Sequence, residues 1–299
     1  MPLRHTPSAA VIGLAALALL TGCTGSPSAR SAVPTVPAAS TQPPVEGAVV
    51  TAVTAVKAVK AVKAVILKAA PARPASGKAH RLAGLTIVLD PGHNGGNSAN
   101  PTRLNAPVPA GGFTKPCNTA GASTNGGYPE HAYNWDVVSR ATVLLRAEGA
   151  TVVLTRPSDT GFGPCVNVRA AIGNAAQADA VVAVHADGAS SGSYGFHVIA
   201  PALAPDGGNA KILARSWALA LAVHTSFHDA TGEPFSSYVH GGLTKRSDLA
   251  GLNLSRVPAI FIECANMRNA TDASHLTSPA WRQRAASGIV AGITAFLHR

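Results

Sequence analysis

The chain has 299 residues, 46% of them apolar and 13% charged, with 29 glycines and 22 prolines. That is room for one or two globular domains, and it excludes a wholly disordered chain, a coiled coil or a collagen. The formal charge of +10 is concentrated: residues 24–80 carry seven basic side chains and one acidic, residues 81–299 sixteen and thirteen, so the later part is nearly balanced and no nucleic-acid partner is expected.

The first element is an address. Arg4 and His5 precede the apolar stretch Ala9–Leu20, broken only by Gly13, which reads as the h-region of an export signal and is too short for a permanent span. It ends in Leu20-Thr21-Gly22-Cys23, which resembles a bacterial lipobox. The resemblance implies that residues 1–22 are a signal peptide and that Cys23 is acylated, giving an exported lipoprotein held to the cell membrane and facing the wall or periplasm. Residues 23–80 then read as a linker of Ala, Pro, Ser, Thr, Val and Lys, with a three-residue repeat running through Lys57, Lys60 and Lys63. A period of three fits neither a strand face nor a helix stripe, so a disordered, solvated spacer is expected.

From Arg81 the texture becomes that of a folded domain, 81–299. Thr86–Asp90 predicts a buried strand stopped by Pro91-Gly92. Residues 94–129 are rich in Gly, Asn and Pro and too long for an idle connection, so they are expected to border a site. Helices are predicted over Glu130–Glu148, Val166–Gln177, Asn209–Phe227 and Ala280–Leu297, and further strands over Thr151–Thr155, Ala180–His185, Gly195–Ala200 and Ala259–Glu263. The alternation predicts an α/β fold: one layered domain with a mixed, mostly parallel sheet flanked by helices. Export permits disulfides. Cys23 belongs to the lipobox and Cys264 follows a buried strand, whereas Cys117 and Cys165 lie in polar loops and are expected to pair.

Three apolar strands finish in polar residues that a buried strand does not choose: Asp90-Pro-Gly-His93, His185-Ala-Asp187 and Glu263. In a parallel sheet the carboxyl ends share one edge, where ligands bind. His93, His185 and Glu263 can converge there, and Glu130, opening the first helix, can reach the same edge. Two histidines and one carboxylate make a zinc site with an open fourth position, and the second carboxylate can handle protons.

The region from about residue 84 onward resembles the zinc-dependent N-acetylmuramoyl-L-alanine amidases, the small single-domain type without a wall-binding module. The residues that carry the resemblance are Ile87-Val-Leu-Asp-Pro-Gly-His93, Glu130 at a helix start, Val152-Val-Leu-Thr-Arg156, His185, and Glu263 followed by Asn269. It implies Zn²⁺ on His93, Glu130 and His185, and peptidoglycan or muropeptides as substrate. The bond cut is the amide between the lactyl carbonyl of N-acetylmuramic acid and L-alanine. Glu263 is then the proton shuttle, taking a proton from water and returning it to the leaving nitrogen. A monomer is expected. Asp90 is either a partner for a ligand's second ring nitrogen or a turn residue. Asp187 stands where similar proteins usually carry Asn, and Ala265 where they often carry Gly.

Two other readings compete. Gly188-Ala-Ser190-Ser-Gly192 matches the Gly-x-Ser-x-Gly pattern, with Ser190 as a nucleophile, but such an elbow must lead into a helix and the next stretch here reads as a strand. A non-catalytic wall-binding lipoprotein is the alternative from another class; retention of both histidines and both glutamates argues against it.

Overall fold

A computed structural model of the chain describes residues 80–298. The signal segment, Cys23 and the linker up to residue 79 lie outside the described residues.

The first strand, β1 (Thr86–Pro91), leads into the long loop, which carries a single helical turn, α1 (Pro101–Leu104), and a hairpin of β2 (Pro107–Pro109) and β3 (Thr114–Pro116). The chain continues through α2 (Glu130–Ala147), β4 (Thr151–Leu154), α3 (Val166–Ala175), β5 (Ala180–Asp187) and β6 (His197–Pro201). It closes with α4 (Leu213–Thr231), β7 (Leu243–Arg246), α5 (Ala250–Asn253), β8 (Ala259–Asn266), α6 (Ala270–Thr277) and α7 (Pro279–Leu297). Six strands form one sheet in the order β4-β1-β5-β8-β6-β7. The first four are mutually parallel, β6 runs antiparallel to β8, and β7 is parallel to β6. This is the mixed, mostly parallel α/β layer expected from the sequence.

Strand periodicity sorts the side chains onto two faces. Ile87, Leu89, Val182, Val184, Ile260 and Ile262 point into the larger core, closed by α2, α4 and α7, with Tyr133, Phe227 and Trp281 fully covered. Val88, Val181, Ile199 and Ala259 point the other way into a smaller cluster with Leu252 of α5. By the same alternation Asp90, His185 and Glu263 fall on that second face, where the covering layer is thin. The central strands are apolar almost throughout because both their faces are covered. Among the described residues no helix is long and apolar enough to cross a membrane.

Candidate metal centre

His93 leaves the end of β1 in a turn that demands a left-handed backbone, with φ of 59°. Two buried arginines hold that turn. Arg169 of α3 pairs with Asp90 and donates to the carbonyls of Pro91 and His93 at 2.9 and 2.7 Å and to Asn94 Oδ1 at 2.6 Å. Arg156, just past β4, donates to the Pro91 carbonyl at 2.8 Å and to that of His131 at 2.9 Å. Thr155 Oγ1 also donates to Asp90. Burial pushes the Asp90 carboxyl up, but Arg169 and Thr155 outweigh it and hold it below its ordinary range. Asp90 is therefore the anchor for Arg169 and not the partner of a ring nitrogen.

His93 Nδ1 has two partners on Thr119, the backbone carbonyl at 3.1 Å and the hydroxyl at 3.2 Å. The carbonyl only accepts, which favours the tautomer with the proton on Nδ1, and Nε2 faces the site. There it lies 3.0 Å from Glu130 Oε1. His185 Nδ1 lies 2.9 Å from the same oxygen. The three ligand atoms offered by His93, Glu130 and His185 all fall within 4.8 Å of one another. Glu130, at the first position of α2, is oriented further by backbone donors: Ala122 N–H to Oε2 at 2.8 Å and Ala186 N–H to Oε1 at 3.2 Å. Burial alone would push its carboxyl up; His93 and His185 outweigh that and hold it well below the ordinary range. The Glu130 charge in turn raises His93 against the effect of burial.

The His185 imidazole lies flat against Phe261, with centroids 5.1 Å apart and planes 13° from parallel. Its other side rests on Gly92, where a Cβ would sit 2.2 Å from Cε1. Gly121, with φ of 85°, plays the same part for His93: a Cβ there would meet the ring at 2.9 Å and Glu130 Oε2 at 3.0 Å. Both glycines are required by the close approach of ligand side chains to the backbone.

Glu263 stands opposite His185 in the β5–β8 register. Its Oε2 is buried without a hydrogen-bond partner. Burial, with the negative charges of Glu130 and Asp187, raises its carboxyl well above the ordinary range, and Arg246 opposes them. His93, Glu130, His185 and Glu263 line one cleft of about 570 Å³.

Cys117 and Cys165 are joined, with Cα atoms 4.5 Å apart. The link ties the loop that carries Thr119 to the start of α3, which carries Arg169, so both ends of the disulfide lead to His93. Cys264 is free and buried. Ser190 is not brought to the site: its Oγ lies 2.9 Å from that of Ser193, in a loop tied down by Asn266, and the chain passes on to β6 without a helix. Asn269 caps α6, accepting from the Thr271 and Asp272 N–H groups, and donates to Ser191 O at 3.0 Å. Asp187 accepts from Tyr238 Oη at 2.8 Å.

Sequence reasoning missed Arg169, Thr119 and Phe261. For Arg169 there was a signal: it is the one charged residue in the otherwise neutral helix Val166–Ala175. Thr119 meets His93 through its carbonyl and its hydroxyl, and a lone Thr in a Gly/Asn-rich loop is marked by no sequence pattern.

The sequence matches the N-acetylmuramoyl-L-alanine amidase family over residues 87–295. It is 40% identical over 235 residues to N-acetylmuramoyl-L-alanine amidase Rv3717 of Mycobacterium tuberculosis, covering 77% of this chain and 92% of that protein. The fold is similar to the crystal structure of the N-acetylmuramyl-L-alanine amidase Ami1 of Mycobacterium smegmatis, with a TM-score of 0.68 and 39% identity over 73% of this chain and 98% of that one. It is also similar to apo Ami1 of Mycobacterium abscessus, with a TM-score of 0.66 and 41% identity over 72% and 100%. A family match across most of the chain, on a fold that gathers two histidines and two glutamates in one cleft, has one reading: the chain belongs to the N-acetylmuramoyl-L-alanine amidases, a family of peptidoglycan hydrolases.

Proposed function

We propose that this chain is a zinc-dependent amidase, with zinc held by His93, Glu130 and His185, that cleaves the bond between N-acetylmuramic acid and L-alanine in peptidoglycan or its fragments during wall remodelling or turnover. The observation that carries the reading is the convergence of the three ligand atoms within 4.8 Å, in one cleft with a Glu263 whose buried Oε2 has no hydrogen-bond partner. Two imidazole nitrogens and a carboxylate oxygen are a donor set suited to zinc with a position left open. A buried carboxylate between two imidazoles is also a place where a cation offsets the cost of burial.

When bound, zinc polarises the scissile carbonyl and lowers the pKa of water from about 15.7 toward about 7. The remaining work falls to the chain. Thr119 fixes the His93 ring, and Gly92 with Phe261 fixes that of His185. Glu263 takes a proton from the attacking water and returns it to the alanine nitrogen, which must be protonated to leave. A raised carboxyl suits the donating half of that cycle, and a neighbouring dication favours the ionised form that the accepting half needs.

The lipobox supports an exported enzyme anchored through Cys23, working as a monomer on the adjoining wall. The test is mass spectrometry of products from defined muropeptides, with and without a zinc chelator. Release of peptides beginning at L-alanine, abolished by the chelator and restored by zinc, is the expected result. Intact muropeptides in the zinc-loaded reaction, or cleavage that the chelator does not touch, would overturn the reading.

A further inference from the structure

We propose that Lys115 and Arg246 form a carboxylate-binding subsite at one end of the cleft, and that the stem peptide, not the sugar, runs toward it; this rests on the amidase reading of the same site. Both side chains line the cleft, Lys115 from β3 of the hairpin and Arg246 from the end of the edge strand β7. A third cation there, Arg169, is buried and committed to Asp90 and to backbone carbonyls. The two at the rim are differently placed.

Arg246 donates through Nε and Nη2 to the Asp248 carboxylate at 2.8 and 2.6 Å. Lys115 Nζ donates to the Asp248 backbone carbonyl at 2.6 Å, so its ammonium group is fixed in place without using that carboxylate as its hydrogen-bond partner. At the Asp248 carboxylate there are thus two cations for one anion, and the Arg246–Asp248 pair leaves the Lys115 charge over. Arg246 keeps 44% of its side-chain surface exposed. Glu130, Glu263 and Asp187 also line the cleft, and a zinc ion on Glu130 offsets their charge when bound. Arg246 is near enough to Glu263 and Asp187 for their charges to be felt in its own.

The substrate is electrically lopsided in a matching way. The sugar and its lactyl carbonyl, once amidated, carry no charge, and the carboxylates belong to the peptide. Once zinc offsets the Glu130 charge, the floor is no barrier to an anion, and it is the cation left over beside Asp248 that draws a peptide carboxylate to the Lys115 and Arg246 side of the cleft. A fixed ammonium beside a partly free guanidinium offers a point charge and a fork to one carboxylate. The charges sit at a wet rim, so the effect is a preference and not an absolute requirement.

The experiment uses the full-length, zinc-loaded enzyme and two muramoyl tripeptides that differ only in the residue after L-alanine, one with its free α-carboxylate and one with the amide. The readout is the ratio of kcat/KM for acid over amide. The wild type should favour the acid by about 5- to 10-fold at low salt, through KM, and less at high salt. Lys115→Gln and Arg246→Gln should bring the ratio toward one, Lys115→Arg should keep it, and Lys115→Glu should invert it. A wild-type ratio of one, or a ratio that Lys115→Glu leaves unmoved, would overturn the subsite while leaving the amidase reading intact. If the wild type cleaves neither substrate, the amidase reading fails and the subsite with it.

Discussion

Replacing Gly92 by alanine adds one methyl group at the point where the backbone of the β1 turn touches the His185 ring. Built on the existing backbone, that carbon lies 2.2, 2.4 and 2.6 Å from the imidazole atoms Cε1, Nε2 and Nδ1. Ordinary contact begins near 3.4 Å, so the ring or the turn must shift by about 1.2 Å, the difference between the two distances. Neither has an easy retreat. Behind the ring is the stacked Phe261, and behind the turn are the buried guanidinium groups of Arg156 and Arg169. Overpacking of this kind costs about 1–3 kcal/mol, which leaves the domain folded. If His185 holds zinc as proposed, a zinc–nitrogen bond of about 2.0–2.1 Å does not survive such a displacement. Gly92→Ala should therefore hold well under half an equivalent of zinc and lose about 10²-fold in kcat/KM on a muropeptide. Gly192→Ala is the matched control, because nothing lies within 4 Å of the corresponding carbon. Elemental analysis, a urea melt and turnover on the three proteins decide it. A Gly92→Ala protein with full zinc and activity would refute the placement of His185 against the turn.

Three further outcomes are expected. Glu263→Gln should keep its zinc and lose 10²-fold or more in turnover, since the amide is nearly isosteric but shuttles no proton; activity within a few-fold of the parent would remove Glu263 from the chemistry. Replacing both Cys117 and Cys165 by serine opens a link across 48 residues, worth about 4 kcal/mol in the chain-entropy model, and should lower the urea midpoint accordingly. Glu233, buried beside Asp272 and 2.8 Å from His275 Nδ1, has its carboxyl pushed up to about 8 by burial and then by Asp272. The folded chain holds this proton more tightly than the unfolded one, so the stability it contributes below about pH 4.5 is lost progressively as the pH rises to about 8. Urea melts at pH 5, 6.5 and 8 should show that fall, and Glu233→Gln should flatten it.

The parts of this molecule legible in its sequence are those where a periodic run ends in a residue that does not belong to it. Val-Val-Ala-Val before His185 and Ile-Phe-Ile before Glu263 mark both the strand and the oddity at its end, and the structure places these two residues opposite each other in register. Helix limits were read within a turn where a proline or glycine stops the chain. Residues predicted as Asn209–Phe227 begin instead with a 3₁₀ turn, and the helix proper is Leu213–Thr231. The hairpin of β2 and β3 falls inside the expected loop because strands of three residues, none of them buried, have no period to detect. β7, four residues with none buried, gives no alternation either. The reversal of β6 against β8 was invisible because strand direction is settled by the connections and not by the strand.

What the sequence could not supply was the means by which the proposed metal ligands stay in place. His93 and Glu130 are separated by a long loop whose composition says only that it turns often. Their meeting depends on a backbone carbonyl at Thr119, on backbone N–H groups at Ala122 and Ala186, and on the absence of a Cβ at Gly121. Main-chain groups are the same in every residue, so no side-chain pattern reports them. The arginines are intermediate: Arg156 follows a strand and Arg169 interrupts a neutral helix, which marks each as exceptional without naming its target. A buried guanidinium is costly unless all its donors are used. Here Arg169 spends its donors on Asp90, on Asn94 and on carbonyls of the turn that ends in His93. The Asp-Pro-Gly-His motif thus needs a partner elsewhere in the chain, and substituting Arg169 should disturb His93 as surely as substituting the motif itself.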